Sequence, residues 1–344
     1  MSTPHISRSR SAGFTTNPAF RALLTASSDA TGADLDALFD EIKDLDLLVV
    51  LDAAGEPSAL AVYRRISAFA VEIEYLAVAP HVRHQGVATA LARRIQENEA
   101  AMVIARTDDD AIGFYRAAGF QISDSPSDPR WPDRRRYLCV LPHLPLLRHP
   151  VTDDGPVEWI QGEPAPAPVV VHPPSASWSQ DFAALAERIG TALGSRALAI
   201  EHLGSTSVPG LPAKPVIDVV LSVADPGSEA DYVDALIAAG FVFRLRESGW
   251  YGHRLFVAGP GEQAANIHIF AIGSPETARM RLFRDWLSTH GTDREAYARI
   301  KLASAALINE SGGGMGLVMD YNRDKEPFIR ELYQRILRND SSED

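Results

Sequence analysis

The sequence predicts two α/β (α+β) domains, and three observations carry that expectation. The chain has 344 residues, against about 150 for an ordinary domain. Prolines recur at 142, 145, 150, 156, 164, 166, 168, 173 and 174 with few periodic apolar positions between them. Strand-like and helix-like segments alternate on both sides of that stretch. A hydrophobic fraction of 46% is enough for two cores, and one undivided core at this length is unfavourable. Each proline lacks a donor N–H and restrains its predecessor, so the Pro-rich stretch should hold neither a helix nor a central strand. The expected division is residues 1–145, a linker at 146–168 and a second domain at 169–344, with VVVH at 169–172 available as an edge strand.

In the first half, LLVVLD (47–52) and ALAVYRRI (59–66) read as strands joined by the turn AAGEP. VEIEYLAV (71–78) is a third strand, ended by Pro80. From Gly86 to Asn98, Val87, Ala88, Leu91, Ala92 and Ile95 recur at helical spacing. AMVIA (101–105) is a short strand, a helix follows over about 110–118 until Gly119 stops it, and RRYLCVL (135–141) closes the half. In the second half, a helix over 178–194 precedes AIEHL and the apolar strand PVIDVVLSV. The first dozen residues are expected to be disordered.

Asp+Glu number 45 against Lys+Arg 33, a formal charge of −12, so the chain should repel a phosphate backbone. Bulk nucleic-acid binding is not expected, although a local basic pocket is compatible with that balance. One cysteine, Cys139, leaves no intramolecular disulfide and no Cys-based zinc cluster, and a reducing cytoplasm fits. Alternating apolar neighbours read it as core. No apolar run approaches about 18 residues, and MSTPHISRSRSAGF has no apolar stretch behind its basic residues. Neither a membrane span nor a secretory signal is expected.

Two stretches carry chemistry. In the first, Gly86 and the small Ala88 stand where a loop turns into a helix, the place where unpartnered amides and the helix dipole suit a pyrophosphate. Arg83-His84-Gln85-Gly86-Val87-Ala88 resembles the Arg/Gln-x-x-Gly-x-Gly/Ala motif of the GNAT acetyltransferase superfamily. The preceding LAV and the following DDDAIGFYRAAGF resemble two further stretches of that superfamily, in the same order, over about residues 45–141. The resemblance implies an N-terminal mixed sheet flanked by helices, with acetyl-CoA as cosubstrate. It implies that Leu76, Ala77 and Val78 pair with the pantetheine arm, and that Arg83, His84, Gln85, Gly86, Val87, Ala88 and Thr89 hold the pyrophosphate.

Amine acetylation needs a base for the amine proton and an acid for the leaving thiolate. Strict alternation puts Glu72 and Glu74 on the strand face of Leu76 and Val78. The resemblance makes Glu72 the base and Tyr115 the acid, while a solvated strand face and ordinary helix packing are the plainer readings of these positions. Asp108 stands where the superfamily commonly has asparagine; it can orient a ligand but cannot donate while ionised. Arg130, Arg134, Arg135 and Arg136 surround Trp131 and suit either an acidic group, such as the donor's 3′-phosphate, or a solvated hairpin.

In the second stretch, Asp218 interrupts an otherwise apolar strand, where an ionised carboxylate is costly unless paired or metal-bound. Gly204-Ser205-Thr206 offers a turn suited to phosphate, and Lys214 lies four residues before Asp218. His-x-Gly-Ser-Thr-Ser-Val-Pro-Gly-Leu followed by Lys-Pro-x-x-Asp closely resembles the GrpB family, over about 168–335. That likeness includes NIHIF (266–270), FRDWLSTH (283–290), Tyr297, Lys301, Tyr321 and Lys325. It implies a nucleotidyltransferase-like α+β domain, in which Gly204, Ser205 and Lys214 would hold a nucleoside triphosphate. Asp218 would be catalytic and bind Mg, with Glu201 and His268 as further ligands. Val220 stands where such enzymes have a second acid. The expected function is an N-acetyltransferase for a small-molecule or peptide amine, fused to a domain that transfers a nucleotidyl group. The alternatives are a non-catalytic nucleotide- or phosphate-binding module in the second half and a non-catalytic acetyl-CoA sensor in the first.

Overall fold

The computed structural model describes residues 6–10, 13–28, 32–125, 133–148, 155–163, 165–312, 315 and 317–339. The chain forms two compact units, one from the residues before 124 together with 133–143, the other containing everything from Leu144 onward.

The first unit runs β1 (Ile6–Arg10), α1 (Pro18–Ser28), α2 (Ala33–Ile42), β2 (Asp46–Leu51), β3 (Pro57–Arg65), β4 (Ala70–Val78), α3 (Val87–Glu99), β5 (Met102–Thr107), α4 (Ile112–Ala117), β6 (Gln121–Ser125) and β7 (Arg136–Leu141). Its sheet has the order β1-β2-β3-β4-β5-β7-β6. β4 and β5 are parallel, while β1 to β4 form an antiparallel meander. Alternation divides the side chains between two layers. Leu48, Val50, Val71 and Ile73 pack with Leu91 and Ile95 of α3, whereas Leu47, Val49, Leu60 and Val62 pack with Phe20 and Phe39 of α1 and α2. Cys139 is fully buried in the first layer.

One expectation changes here. Residues 6–10 are not disordered but pair with β2, Ile6 opposite Val50. α1 begins at Pro18, where a missing N–H is harmless, and the Asn17 side chain accepts the Phe20 amide at 2.9 Å as its cap.

β4 also departs from strict alternation. Val62 lies opposite Tyr75 and Tyr63 opposite Ile73, so Glu74 is an extra residue that bulges out of the ladder. Beyond the bulge the faces exchange. Leu76 and Val78 join Val71 and Ile73 against α3, while Tyr75 and Ala77 point toward α1 and α2. The expectation that Glu72 shares a face with Leu76 and Val78 is therefore overturned. The β4–β5 pairing ends at Ile73 and Ala105, leaving Tyr75–Val78 as an edge facing a gap in the sheet.

The second unit runs α5 (Leu144–Arg148), β8 (Glu158–Trp159), α6 (Ser177–Leu193), β9 (Ala199–Leu203), β10 (Ile217–Val223), α7 (Val233–Ala238), β11 (Val242–Glu247), β12 (His253–Val257), β13 (Ala265–Ala271), α8 (Pro275–Thr289), α9 (Gly291–Ser311) and α10 (Val318–Asn339). Its sheet order is β8-β11-β12-β13-β10-β9, with β10 and β13 parallel. The Pro-rich stretch is thus not a bare linker. It contributes the short α5 and the edge strand β8, which pairs Trp159 with Leu245; β8 leaves out the prolines, and Pro145 stands in the first turn of α5, where it is tolerated. The stretch 169–172 makes a bridge between His172 and Ala213. One sheet face, with Ile217, Val219, Leu221, Ile267 and Ile269, packs on α6 and α7. Asp218, Val220, Asn266 and His268 alternate onto the other face.

Candidate functional site

In the first unit the chain leaves β4, makes a short 3-10 turn at 80–82 and enters α3 through Gly86. His84 and Gly86 both have left-handed backbones, φ 60° and 78°. This bend keeps the main chain from continuing the helix backward, so the first amide to find a carbonyl is Ala90, bonded to Gly86 at 2.9 Å. Among the described residues the amides of His84 through Thr89 have no acceptor. A Cβ at Gly86 would meet nothing within 4 Å, so the space in front of these donors is clear. The Arg83 Nε donates to the Val78 carbonyl at 3.1 Å, which ties the bend to the free edge of β4 and occupies one of that strand's acceptors.

Glu72 and Tyr115 lie on opposite faces of the sheet. Glu72 sits beside Arg106 and Arg64 on the α1–α2 face, 5% exposed and ion-paired with both. Burial pushes its carboxyl above the ordinary value, against the pull of Arg106. Tyr115 is buried in the α3–α4 layer, edge-on to Phe114 and Phe120. Burial raises its phenol, with the Cys139 thiol adding to the effect, so it is protonated at neutral pH.

Asp108 is engaged by Arg134 at 2.9 Å and Arg136 at 3.5 Å, and accepts the Asp110 amide. Those two arginines neutralise an acid of their own chain, while Arg135 lies over the Tyr137 ring. Arg130 and Trp131 lie outside the described residues.

In the second unit, Gly204 bends with φ 79° into a 3-10 turn at 205–207. A Cβ at Gly204 would stand 2.3 Å from Asp218 Oδ2, so only glycine lets this turn close over the carboxylate. Asp218 accepts the Asn266 amide at 2.9 Å and has His268 Nε2 at 3.7 Å. Burial alone would raise its carboxyl, but His268, Asn266 and Lys214 together hold it below the ordinary range. His268 is itself oriented by a chain: Glu247 contacts His253 Nδ1 at 2.6 Å, and His253 Nε2 meets His268 Nδ1 at 3.0 Å. His253 is buried and its pKa falls well below the usual value, burial first and His268 second. With a neutral His253 donating to Glu247, its Nε2 accepts from His268 Nδ1.

The expected metal set does not assemble. Glu201 lies opposite Val220 on the Asp218 face, yet both of its oxygens are bonded by the Arg281 guanidinium, and both residues are buried. A carboxylate already neutralised bidentately is a poor metal ligand. Among the described residues no group of three or more His, Cys, Asp or Glu is placed to hold a metal ion.

The helices bring up residues to which sequence reasoning gave no role. Lys301 of α9 is 1% exposed and donates to the Pro212 carbonyl at 2.6 Å. Lys325 of α10 is 9% exposed with its ammonium 4.0 Å from the Tyr321 ring centre. Burial lowers both to about 7, and neighbouring lysines add to it. The available signal was the near-absence of lysine elsewhere in the chain.

The first unit is thus an α/β domain with an open sheet edge beside a bend of unpartnered amides, and the second an α+β domain with a half-buried carboxylate whose charge is felt by three lysines. A family model described as an acetyltransferase (GNAT) domain matches residues 44–122, and one described as GrpB protein matches residues 168–335. A UPF0157 protein of Halalkalibacterium halodurans is 44% identical over 154 residues, 44% of this chain and 78% of that protein. Another, from Streptomyces coelicolor, is 42% identical over 160 residues, 46% of this chain and 80% of that protein. The chain belongs to the GrpB (UPF0157) family and carries a GNAT domain in its N-terminal half. The crystal structure of conserved protein GrpB from Enterococcus faecalis aligns with a TM-score of 0.44 at 25% identity, over 49% of this chain and 98% of that one. Among the described residues no helix is long and apolar enough to cross a membrane.

Proposed function

We propose that the N-terminal unit transfers an acetyl group from acetyl-CoA to a primary amine of a small molecule or peptide in the cytoplasm, and that the C-terminal unit binds a phosphorylated ligand without nucleotidyl transfer. The observation that carries the first part is the run of amides from His84 to Thr89 with no acceptor among the described residues, in front of clear space at a helix N-terminus. Such donors and the positive end of the helix dipole suit a diphosphate. Beyond Ile73, where the β4–β5 pairing ends, the main chain of Leu76 and Ala77 borders the gap beside β5 and offers partners to a pantetheine arm lying there.

The coenzyme supplies an acetyl thioester. As the amine nitrogen bonds the carbonyl carbon and the carbon–sulfur bond breaks, Glu72, on one face of the sheet two residues before the gap opens, accepts the amine proton. Tyr115, on the other face, gives its proton to the departing sulfur. A carboxyl raised by burial is a better proton acceptor than an exposed one, and a phenol kept protonated has a proton to give. Differential scanning fluorimetry tests the donor: saturating acetyl-CoA should raise the melting temperature, and unchanged melting rejects the reading. Thiol release with a panel of amines then separates an enzyme from a sensor.

For the second unit, Val220 is apolar and buried and both Glu201 oxygens are held by Arg281, so neither position supplies Asp218 with a second metal-binding carboxylate. That favours binding over two-metal transfer. Release of pyrophosphate from ATP with magnesium and an amine or alcohol acceptor would overturn it.

A further inference from the structure

Of the 33 basic residues only four are lysine, at 43, 214, 301 and 325, and three of these converge. Lys214 comes from the loop between β9 and β10, Lys301 from α9 and Lys325 from α10. Lys214 and Lys325 share the Tyr321 ring, 5.3 and 4.0 Å from its centre, and Lys301 lies 5.4 Å from that of Tyr297. All three feel the charge of Asp218. Among the described residues no carboxylate stands within ion-pairing distance of any of them. Lys214 is only partly buried and the Asp218 side chain is 26% exposed, so the cluster reaches the surface at that end.

Three ammonium groups against one carboxylate leave a surplus of two positive charges when all are protonated. Buried charge without a partner is costly. An arginine could not escape that cost, because it stays ionised, whereas a lysine can lose its proton. Lysine in these three places, in a chain that uses arginine at every other basic position but Lys43, fits a site that waits partly discharged and regains its charge when an anion arrives.

We infer that Lys214, Lys301 and Lys325 form a receptor for a phosphate dianion, a terminal phosphomonoester or a diphosphate, held by ammonium groups rather than through a divalent cation. This rests on the reading of the second unit as a phosphate-binding module. The Gly204–Ser207 turn closes over Asp218, the carboxylate whose charge the three lysines share.

Isothermal titration of the full chain with inorganic phosphate, pyrophosphate and ATP, each in EDTA and again with magnesium, tests it. Phosphate binding alone indicates a monoester receptor, and preference for pyrophosphate a diphosphate one. Binding should occur in EDTA, and Lys301→Met and Lys325→Met should each weaken it by about 10-fold or more, the loss of one charge-assisted hydrogen bond. Lys43→Met should leave it unchanged. The two buried substitutions should keep or raise the melting temperature, since each removes a desolvated amine; if either fails to fold, the partly exposed Lys214→Met carries the same expectation for binding. Affinity within two-fold of the native chain in these variants overturns the receptor, as does binding that requires magnesium. ATP held equally by native and variant chains sinks the lysine receptor alone and leaves the module standing. Pyrophosphate release sinks the non-catalytic module and leaves the receptor to stand or fall by the EDTA titrations. No binding of any of the three by the native chain sinks both.

Discussion

Gly204 and Gly86 both adopt left-handed backbones, yet they differ in what surrounds them. A methyl at Gly204 would strike Asp218 Oδ2 at 2.3 Å and its Cβ at 2.8 Å, so Gly204→Ala combines overpacking with backbone strain. Urea denaturation should show a loss of about 2–4 kcal/mol in the second unit. At Gly86 there is clear space, so Gly86→Ala should cost only about 1 kcal/mol of stability. Its effect should appear in the KM for acetyl-CoA instead. Tyr115→Phe removes a proton donor while keeping the ring between Phe114 and Phe120. Turnover should fall by about 100-fold with the acetyl-CoA KM little changed, and unaltered turnover would reject the acid role.

β4 does its work through one inserted residue. Glu74 turns the second half of the strand over and ends its pairing with β5; deleting it should restore a continuous ladder and close the gap. The deletion variant should remain folded by circular dichroism and lose the acetyl-CoA-induced rise in melting temperature. Nothing in VEIEYLAV marks such a bulge, since a period-two pattern reads equally well on either side of it, and Glu72 was consequently assigned the wrong face. The bend at Gly86 was legible because the small residues and the helix periodicity after them are local properties. α1 was legible in principle from Asn17-Pro18, a cap followed by a first-turn proline. The Pro-rich stretch misled because proline forbids interior positions only, and both β8, an edge strand, and the first turn of α5 are permitted ones. The Glu201–Arg281 pair was invisible, its partners being 80 residues apart.

Across the whole chain, stability should follow the charge state of two lysines. Lys301 and Lys325 fall from an ordinary 10.5 to about 7 on folding, so between those values the unfolded chain binds more protons than the folded one. The ligand-free protein should therefore gain stability as pH rises from 7 toward 10. Urea midpoints at pH 7 and 9 check this, and the rise should flatten in a Lys301→Met, Lys325→Met double variant. Saturating pyrophosphate should have the same flattening effect, because an anion among Lys214, Lys301, Lys325 and Asp218, beside His268 and the phenols of Tyr297 and Tyr321, keeps the amines protonated. The clasp between Glu201 on β9 and Arg281 on α8 sets a trap for mutagenesis in this unit. Glu201→Ala strands a buried guanidinium, and breaking such a pair typically costs about 3–5 kcal/mol. A dead Glu201 variant would thus report a collapsed wall rather than a missing ligand, and only one that also replaces Arg281 with an apolar residue can tell the two apart.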